Sequence, residues 1–232
     1  MHTLRLERAA QGHVVLDHVA GHGPAWVYLH GLASVRAGEK SQALFARARA
    51  RGRACARFDF RGHGESSGRI EDMTLTDLLH DTEAVLDGIG PSVLVGSSLG
   101  GLIAAWTAAR RPDLVRGLLL LAPAFGFLGR LATHRRQDGF VLIESAHTTI
   151  RVHERALADA ACYDERELPA RIPQKVVVVH GEHDDAVPVA ESERFFARLP
   201  HAHKKLWVVP GGDHRLNGPI EAILDLLEAE LP

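Results

Sequence analysis

Residues 92–110, SVLVGSSLGGLIAAWTAAR, constrain this chain more than any other stretch. An apolar β-type run, SVLVG, passes straight into a small-residue helical run, and the join between them is Gly96-Ser97-Ser98-Leu99-Gly100. A strand that turns so abruptly into a helix leaves no room for side chains two residues either side of the pivot, which is why glycine stands there. The expected result is one hydroxyl, Ser98, lifted on a strained bend beside the free N–H groups of a helix start. The same spacing recurs at Gly64-Glu65-Ser66-Ser67-Gly68, but Ser66 follows a glycine-rich loop and the next helical run begins only near Thr74. Context makes Ser98 the candidate nucleophile and Ser66 a loop serine, with Ser97 off the pivot.

Runs like SVLVG appear at 25–30, 54–60, 117–122, 175–180 and 205–209, with helical patterns expected at about 37–51, 74–88, 99–110, 189–199 and 219–230. Their near-continuous hydrophobicity suits parallel strands covered on both faces, and their alternation with helices implies a doubly wound sheet. The first residues, TLRLERAAQGHVVLDHVAG, read as an antiparallel hairpin leading into that series. Between about Pro123 and Pro173 the chain is too long for a simple crossover, so a cap insertion is expected within one 1–232 domain. That stretch holds Phe125, Phe127, Phe140 and Leu142, candidates for an acyl-binding lining or for the cap's own core, and the amphipathic segment VHERALADAACYDERELPARI.

Chemistry is narrowed by what the composition excludes. Lys and Arg number 27 against 29 Asp and Glu, a formal charge of -2, so no net field attracts nucleic acid or anionic membranes. The expected substrate is a small molecule. With 46% apolar residues in 232, a full core needs neither disulfides nor metal. Cys55 and Cys162 are the only cysteines, which fits a reducing compartment, and the N-terminus lacks a signal-peptide apolar region, so a cytoplasmic location is expected. His180-x-x-His183-Asp184-Asp185 and His201-x-His203 contain metal-ligand types, but His180 ends a strand and no metal or other cofactor is expected.

A serine hydroxyl needs an imidazole to take its proton and a carboxylate to hold that imidazole in the right tautomer. On a strand–elbow–helix scaffold the acid and then the histidine follow the serine along the chain. KVVVVHGEHDDAVP ends a strand and carries Asp184 and Asp185; KLWVVPGGDHRL ends the last strand and carries His214. Of 15 histidines, His214 is singled out by its Gly-rich loop after the final strand, where a side chain can reach back over the sheet's carboxyl edge. Two backbone N–H groups should face the developing oxyanion, one from Leu99 and one from the His30-Gly31-Leu32-Ala33-Ser34 loop, with Leu32 the expected donor.

These motifs resemble the α/β-hydrolase family, and the likeness covers nearly the whole chain. Its residues are His30-Gly31, Asp59-Phe60-Arg61-Gly62-His63-Gly64-Glu65-Ser66, Gly96 to Gly100, His180 to Pro188 and Gly211-Gly212-Asp213-His214, all in family order. The resemblance implies an α/β-hydrolase fold with a mostly parallel sheet of about eight strands and a short cap. It also assigns the orienting acid to Asp184, through the Gly-Glu-x-Asp-x-x-Val-Pro pattern, and gives the segment around Ser66 a structural role. A serine at the pivot disfavours the family's dehalogenases and epoxide hydrolases, which use aspartate there. The expected activity is hydrolysis of a carboxylic ester or thioester of a small acyl substrate; C–C bond hydrolysis, peptidase activity and a non-catalytic binder are the alternatives.

Overall fold

A computed structural model describes residues 2–8, 12–144 and 149–231. The turn of the expected N-terminal hairpin, 9–11, and residues 145–148 of the expected cap fall outside them. The main sheet is built from β1 (His2–Glu7), β2 (His13–Val19), β3 (His22–Leu29), β4 (Arg53–Phe58), β5 (Ser92–Ser97), β6 (Val115–Leu121), β10 (Lys175–Gly181) and β11 (Lys204–Val209). Spatially the order is β1-β2-β4-β3-β5-β6-β10-β11. β1 and β2 pair antiparallel, β2 joins β4 antiparallel, and every later pairing is parallel. This is the α/β-hydrolase fold.

All six residues of β5 are buried, as its near-continuous apolar run requires, and so are all six of β4, Arg53 and Arg57 among them. One face packs on α2 (Leu75–Ile89) and α3 (Leu99–Arg110), through Leu78, Leu79, Leu102 and Ile103. The other packs on α1 (Glu39–Ala50) and α7 (Ile220–Glu230), through Leu44, Phe45, Ile223 and Leu227. α6 (Val189–Arg198) follows β10. α2 starts where Thr74 Oγ1 accepts the Asp77 N–H. Cys55 is buried and Cys162 exposed, and both are free thiols.

Between β6 and β10 the chain forms α4 (Phe127–Leu131), a three-stranded antiparallel sheet of β7 (Arg136–Gln137), β8 (Phe140–Glu144) and β9 (Thr149–His153), and α5 (Arg155–Ala160). The amphipathic segment at 152–172 is therefore not one helix. Val152 and His153 belong to β9, and helix α5 ends at Ala160. Beyond it the Asp164 carboxylate turns back to accept the Arg166 N–H, a local bond that competes with helix. Glu165 reaches away to accept the N–H groups of Gly126 and Leu128, and so caps α4.

Candidate active site

At the end of β5, Ser98 adopts φ 54° and ψ -119°, outside the regions a side-chain-bearing residue ordinarily occupies. Its neighbours explain how this is tolerated. A Cβ at Gly96 would strike the Gly100 carbonyl, and one at Gly100 would strike the Leu29 carbonyl of β3. The bend is pinned by the Ser98 N–H donating to the Leu121 carbonyl at 2.9 Å, while the Ser98 carbonyl accepts from Gly101 at 2.9 Å and Ala124 at 3.0 Å. Ser66, by contrast, is buried, donating to the Asp59 carbonyl at 2.6 Å and accepting from the Val15 N–H at 2.8 Å. It ties a loop to β2.

His214, from the loop after β11, places Nε2 3.0 Å from Ser98 Oγ and Nδ1 2.7 Å from Asp184 Oδ2. A carboxylate can only accept, so Nδ1 carries the proton and Nε2 presents its lone pair to the serine hydroxyl. Asp184 is saturated: Oδ1 accepts the N–H groups of Ala186 at 2.9 Å and Val187 at 2.8 Å, and its side chain is fully buried. Burial alone would raise its pKa, yet the hydrogen bonds from His180 and His214 hold it well below the ordinary carboxylate range. Asp185, the alternative acid, is exposed.

The His180 contact is one that sequence reasoning missed. His180 is fully buried, with Nε2 3.0 Å from Asp184 Oδ2 and 2.9 Å from the Val187 carbonyl, and Nδ1 2.8 Å from Ser192 Oγ. Nε2–H therefore donates toward the carboxylate while Nδ1 accepts the Ser192 hydroxyl proton. The one signal available was that His180 ends a buried strand shortly before Asp184, which marks it as buried without saying what it touches, while His183 is exposed.

The loop after β3 runs beside Ser98 because β3 and β5 are neighbours, with Leu29 opposite Gly96. A Cβ at Gly31 would lie 3.3 Å from Ser98 Cβ and 3.8 Å from Oγ. Among the described residues no hydrogen bond engages the N–H of Leu32 or Leu99.

Next to Leu99 runs a narrow cleft lined by Met73, Leu75, Leu78, Phe127, Leu128, Leu131, Ile143, Val152, Ala156 and Ala160, with Thr74 the one polar residue. Of the aromatic candidates only Phe127 lines it. Phe125 stacks on Phe195 at 4.0 Å, Phe140 stacks on His153 at 4.3 Å, and Leu142 is buried in β8, one residue out of register with the cleft-lining Ile143. Strand alternation puts neighbouring side chains on opposite faces, which the sequence reading of the cap could not anticipate without its strands.

His30, at the end of β3, is fully buried and accepts the Phe60 N–H at Nε2, 3.1 Å away. Burial lowers its pKa from the ordinary 6.5 to about 4, so the ring stays neutral in the fold. The unfolded chain then binds the extra proton first, and stability is lost as pH falls from 6.5 toward 4, by up to about 3 kcal/mol from this group. In urea titrations across that window, His30→Gln should be less stable at neutral pH yet lose less on acidification. An unchanged slope would refute this account of the acid sensitivity.

A family profile for the α/β hydrolase fold matches residues 24–144. The chain belongs to the α/β-hydrolase family. It is a hydrolase by that membership, and a second profile, for the prolyl oligopeptidase family, matches residues 90–231. Among curated relatives, the palmitoyl-protein thioesterase ABHD10, mitochondrial, of Pongo abelii is 27% identical over 226 residues, 91% of this chain and 73% of the relative. The Homo sapiens protein of the same name matches equally, at 27% over the same coverage. Among solved structures, alpha/beta hydrolase domain-containing protein 10 from mouse superposes with a TM-score of 0.87 at 24% identity, covering 99% of each chain. Est1E from Butyrivibrio proteoclasticus with bound ferulic acid gives 0.84 at 22%, covering 98% of this chain and 99% of that one. Ser98, Asp184 and His214 follow β5, β10 and β11 in turn, and so meet at the carboxyl edge of the sheet.

Proposed function

We propose that this α/β hydrolase is a serine esterase or thioesterase whose substrate is an aliphatic acyl ester or thioester. The reading is carried by the hydrogen-bonded line from Asp184 through His214 to Ser98, set beside an apolar cleft. In this mechanism Ser98 Oγ attacks the acyl carbon as His214 Nε2 removes its proton, and the N–H groups of Leu32 and Leu99 hold the oxyanion. The leaving alcohol or thiol takes the proton back from His214, and a water molecule, activated by the same ring, releases the acyl group. Asp184, braced by His180, keeps the imidazolium aligned throughout.

The substrate class follows from the cleft. Leu99, next to Ser98 in the chain, lies on an apolar cleft suited to a hydrocarbon chain, and the relatives named above are palmitoyl-protein thioesterases. A peptidase reading draws on the second profile match, but a peptide would bring amide groups into a channel whose only polar side chain is Thr74. For the compartment we propose the cytoplasm, on the two free thiols and the charge balance; the mitochondrial label belongs to the relatives' own names.

The direct test is a series of p-nitrophenyl esters and S-acyl thiols of graded chain length, run beside Ser98→Ala. Cleavage that rises with chain length and vanishes in Ser98→Ala is expected; no cleavage of any member, or equal cleavage by the variant, would overturn the reading. Ala156 and Ala160 line the cleft from α5. Ala156→Leu should accordingly lower kcat/KM for long acyl chains about tenfold relative to acetyl substrates, read from the same series.

A further inference from the structure

The segment Asp59-Phe60-Arg61-Gly62-His63-Gly64-Glu65 has no part in the proton transfers above, yet it supplies most of the bonds that hold the Leu32 loop. Ala33 has φ 55°, a left-handed conformation that an alanine keeps only when its surroundings impose it. Its N–H donates to His63 Nε2 at 3.2 Å. The His63 ring is itself fixed, buried with Nδ1 3.0 Å from the Arg61 carbonyl and packed 5.0 Å from the His30 ring. A carbonyl only accepts, so Nδ1 carries the proton and Nε2 is left as a lone pair matched to the Ala33 N–H.

Further along the loop, the Arg36 N–H donates to Asp59 Oδ1 at 2.6 Å, and the Arg36 guanidinium pairs with Asp59 and Glu65. Asp59 is fully buried, with Gly64 packed so tightly on its carboxylate that no side chain fits there. On the near side, His30 Nδ1–H donates to the Gly31 carbonyl at 2.8 Å, and the Ser34 N–H donates to the same oxygen at 3.2 Å. A trans peptide points its N–H opposite its carbonyl, so the Leu32 N–H is turned away from His30. Two successive peptide planes are thus pinned: Gly31–Leu32 by His30 and Ser34, and Leu32–Ala33 by His63.

Building on the proposed function, we infer that His63 is a positioning residue that sets the oxyanion geometry, acting through Ala33 to keep the Leu32 N–H aimed at the site beside Ser98. With that clamp gone, the left-handed turn at Ala33 loses its only hydrogen bond from outside the loop among the described residues. The Gly31–Leu32 plane then depends on His30 and Ser34 alone, so the Leu32 donor is aimed less tightly and the oxyanion is held less firmly.

The test compares His63→Gln, His63→Asn and His63→Phe on one p-nitrophenyl ester, with folding followed by melting temperature. Gln places a carbonyl oxygen near the position of Nε2, whereas Asn reaches only as far as Nδ1 and Phe offers no polar atom. His63→Asn and His63→Phe should lose about 10- to 100-fold in kcat with KM changed by less than about twofold, while His63→Gln recovers most of kcat. Should His63→Phe fail to fold, the Gln and Asn pair still decides. Equal kcat in Gln and Asn, a loss confined to KM, or wild-type kcat in His63→Phe would overturn the inference. A wild type that cleaves no ester and takes no fluorophosphonate on Ser98 would instead overturn the proposed function, so the two failures are distinguishable.

Discussion

Ser98→Ala and His214→Ala are each expected to lower kcat by about 10⁴- to 10⁶-fold, and the double variant to lose no more than the worse single one. The reason is geometric. Ser98 Oγ and His214 Nε2 lie 3.0 Å apart, so the hydroxyl becomes a competent nucleophile only as its proton passes to that ring. Remove either group and the other has nothing to act on, so the second substitution costs little more. KM should move far less than kcat, because the cleft beside Leu99 and the N–H groups of Leu32 and Leu99 remain. The single and double variants need only steady-state kinetics on a chromogenic ester. A double variant that lost the product of the two single effects would mean the residues act independently. Fluorophosphonate labelling that persisted in Ser98→Ala would move the nucleophile elsewhere.

Most of what positions these groups is legible in the sequence, because it is written as local patterns with one physical solution each. Apolar runs buried on both faces call for parallel strands, and Gly96 and Gly100 call for the bend at Ser98, since a Cβ at either meets backbone. His214 could be picked out because strand ends deliver their loops to the same edge of the sheet, whereas Asp184 was separated from Asp185 only by the resemblance, through its Gly-Glu-x-Asp-x-x-Val-Pro pattern. The features that escaped depend on contacts between segments far apart in the chain. His180 as a brace for Asp184 needs both side chains to be buried on the same side of a turn, which spacing alone does not say. His63 meets Ala33 across 30 residues. The three-stranded sheet between β6 and β10 consists of short strands in a charged stretch, where alternation is too brief to separate from loop, and so Phe127 could not be told from Phe125 and Phe140 as a cleft residue.

The brace on Asp184 makes the acid the place where the tautomer of His214 is decided, and Asp184→Asn is expected to lower kcat by about 10⁴-fold in a folded protein. The native carboxylate receives four donors: the N–H groups of Ala186 and Val187 on Oδ1, and His180 Nε2–H and His214 Nδ1–H on Oδ2. An asparagine keeps its oxygen on the two backbone groups and must then turn its NH2 toward the two rings, so that donors face donors. His214 escapes the conflict by carrying its proton on Nε2 and accepting at Nδ1, which takes the lone pair away from Ser98 Oγ. His180 has a poorer escape, because its Nδ1 is held by Ser192, and it keeps its bond to the Val187 carbonyl while losing its share of the carboxylate. The variant should therefore bind substrate with little change in KM and turn it over slowly. Asp185→Asn, one residue along and exposed, should stay within about twofold of wild type. Steady-state kinetics on the two variants separate the adjacent carboxylates cleanly: an inactive Asp185→Asn beside an active Asp184→Asn would reverse the assignment and leave the 2.7 Å contact between Asp184 and His214 without a catalytic purpose.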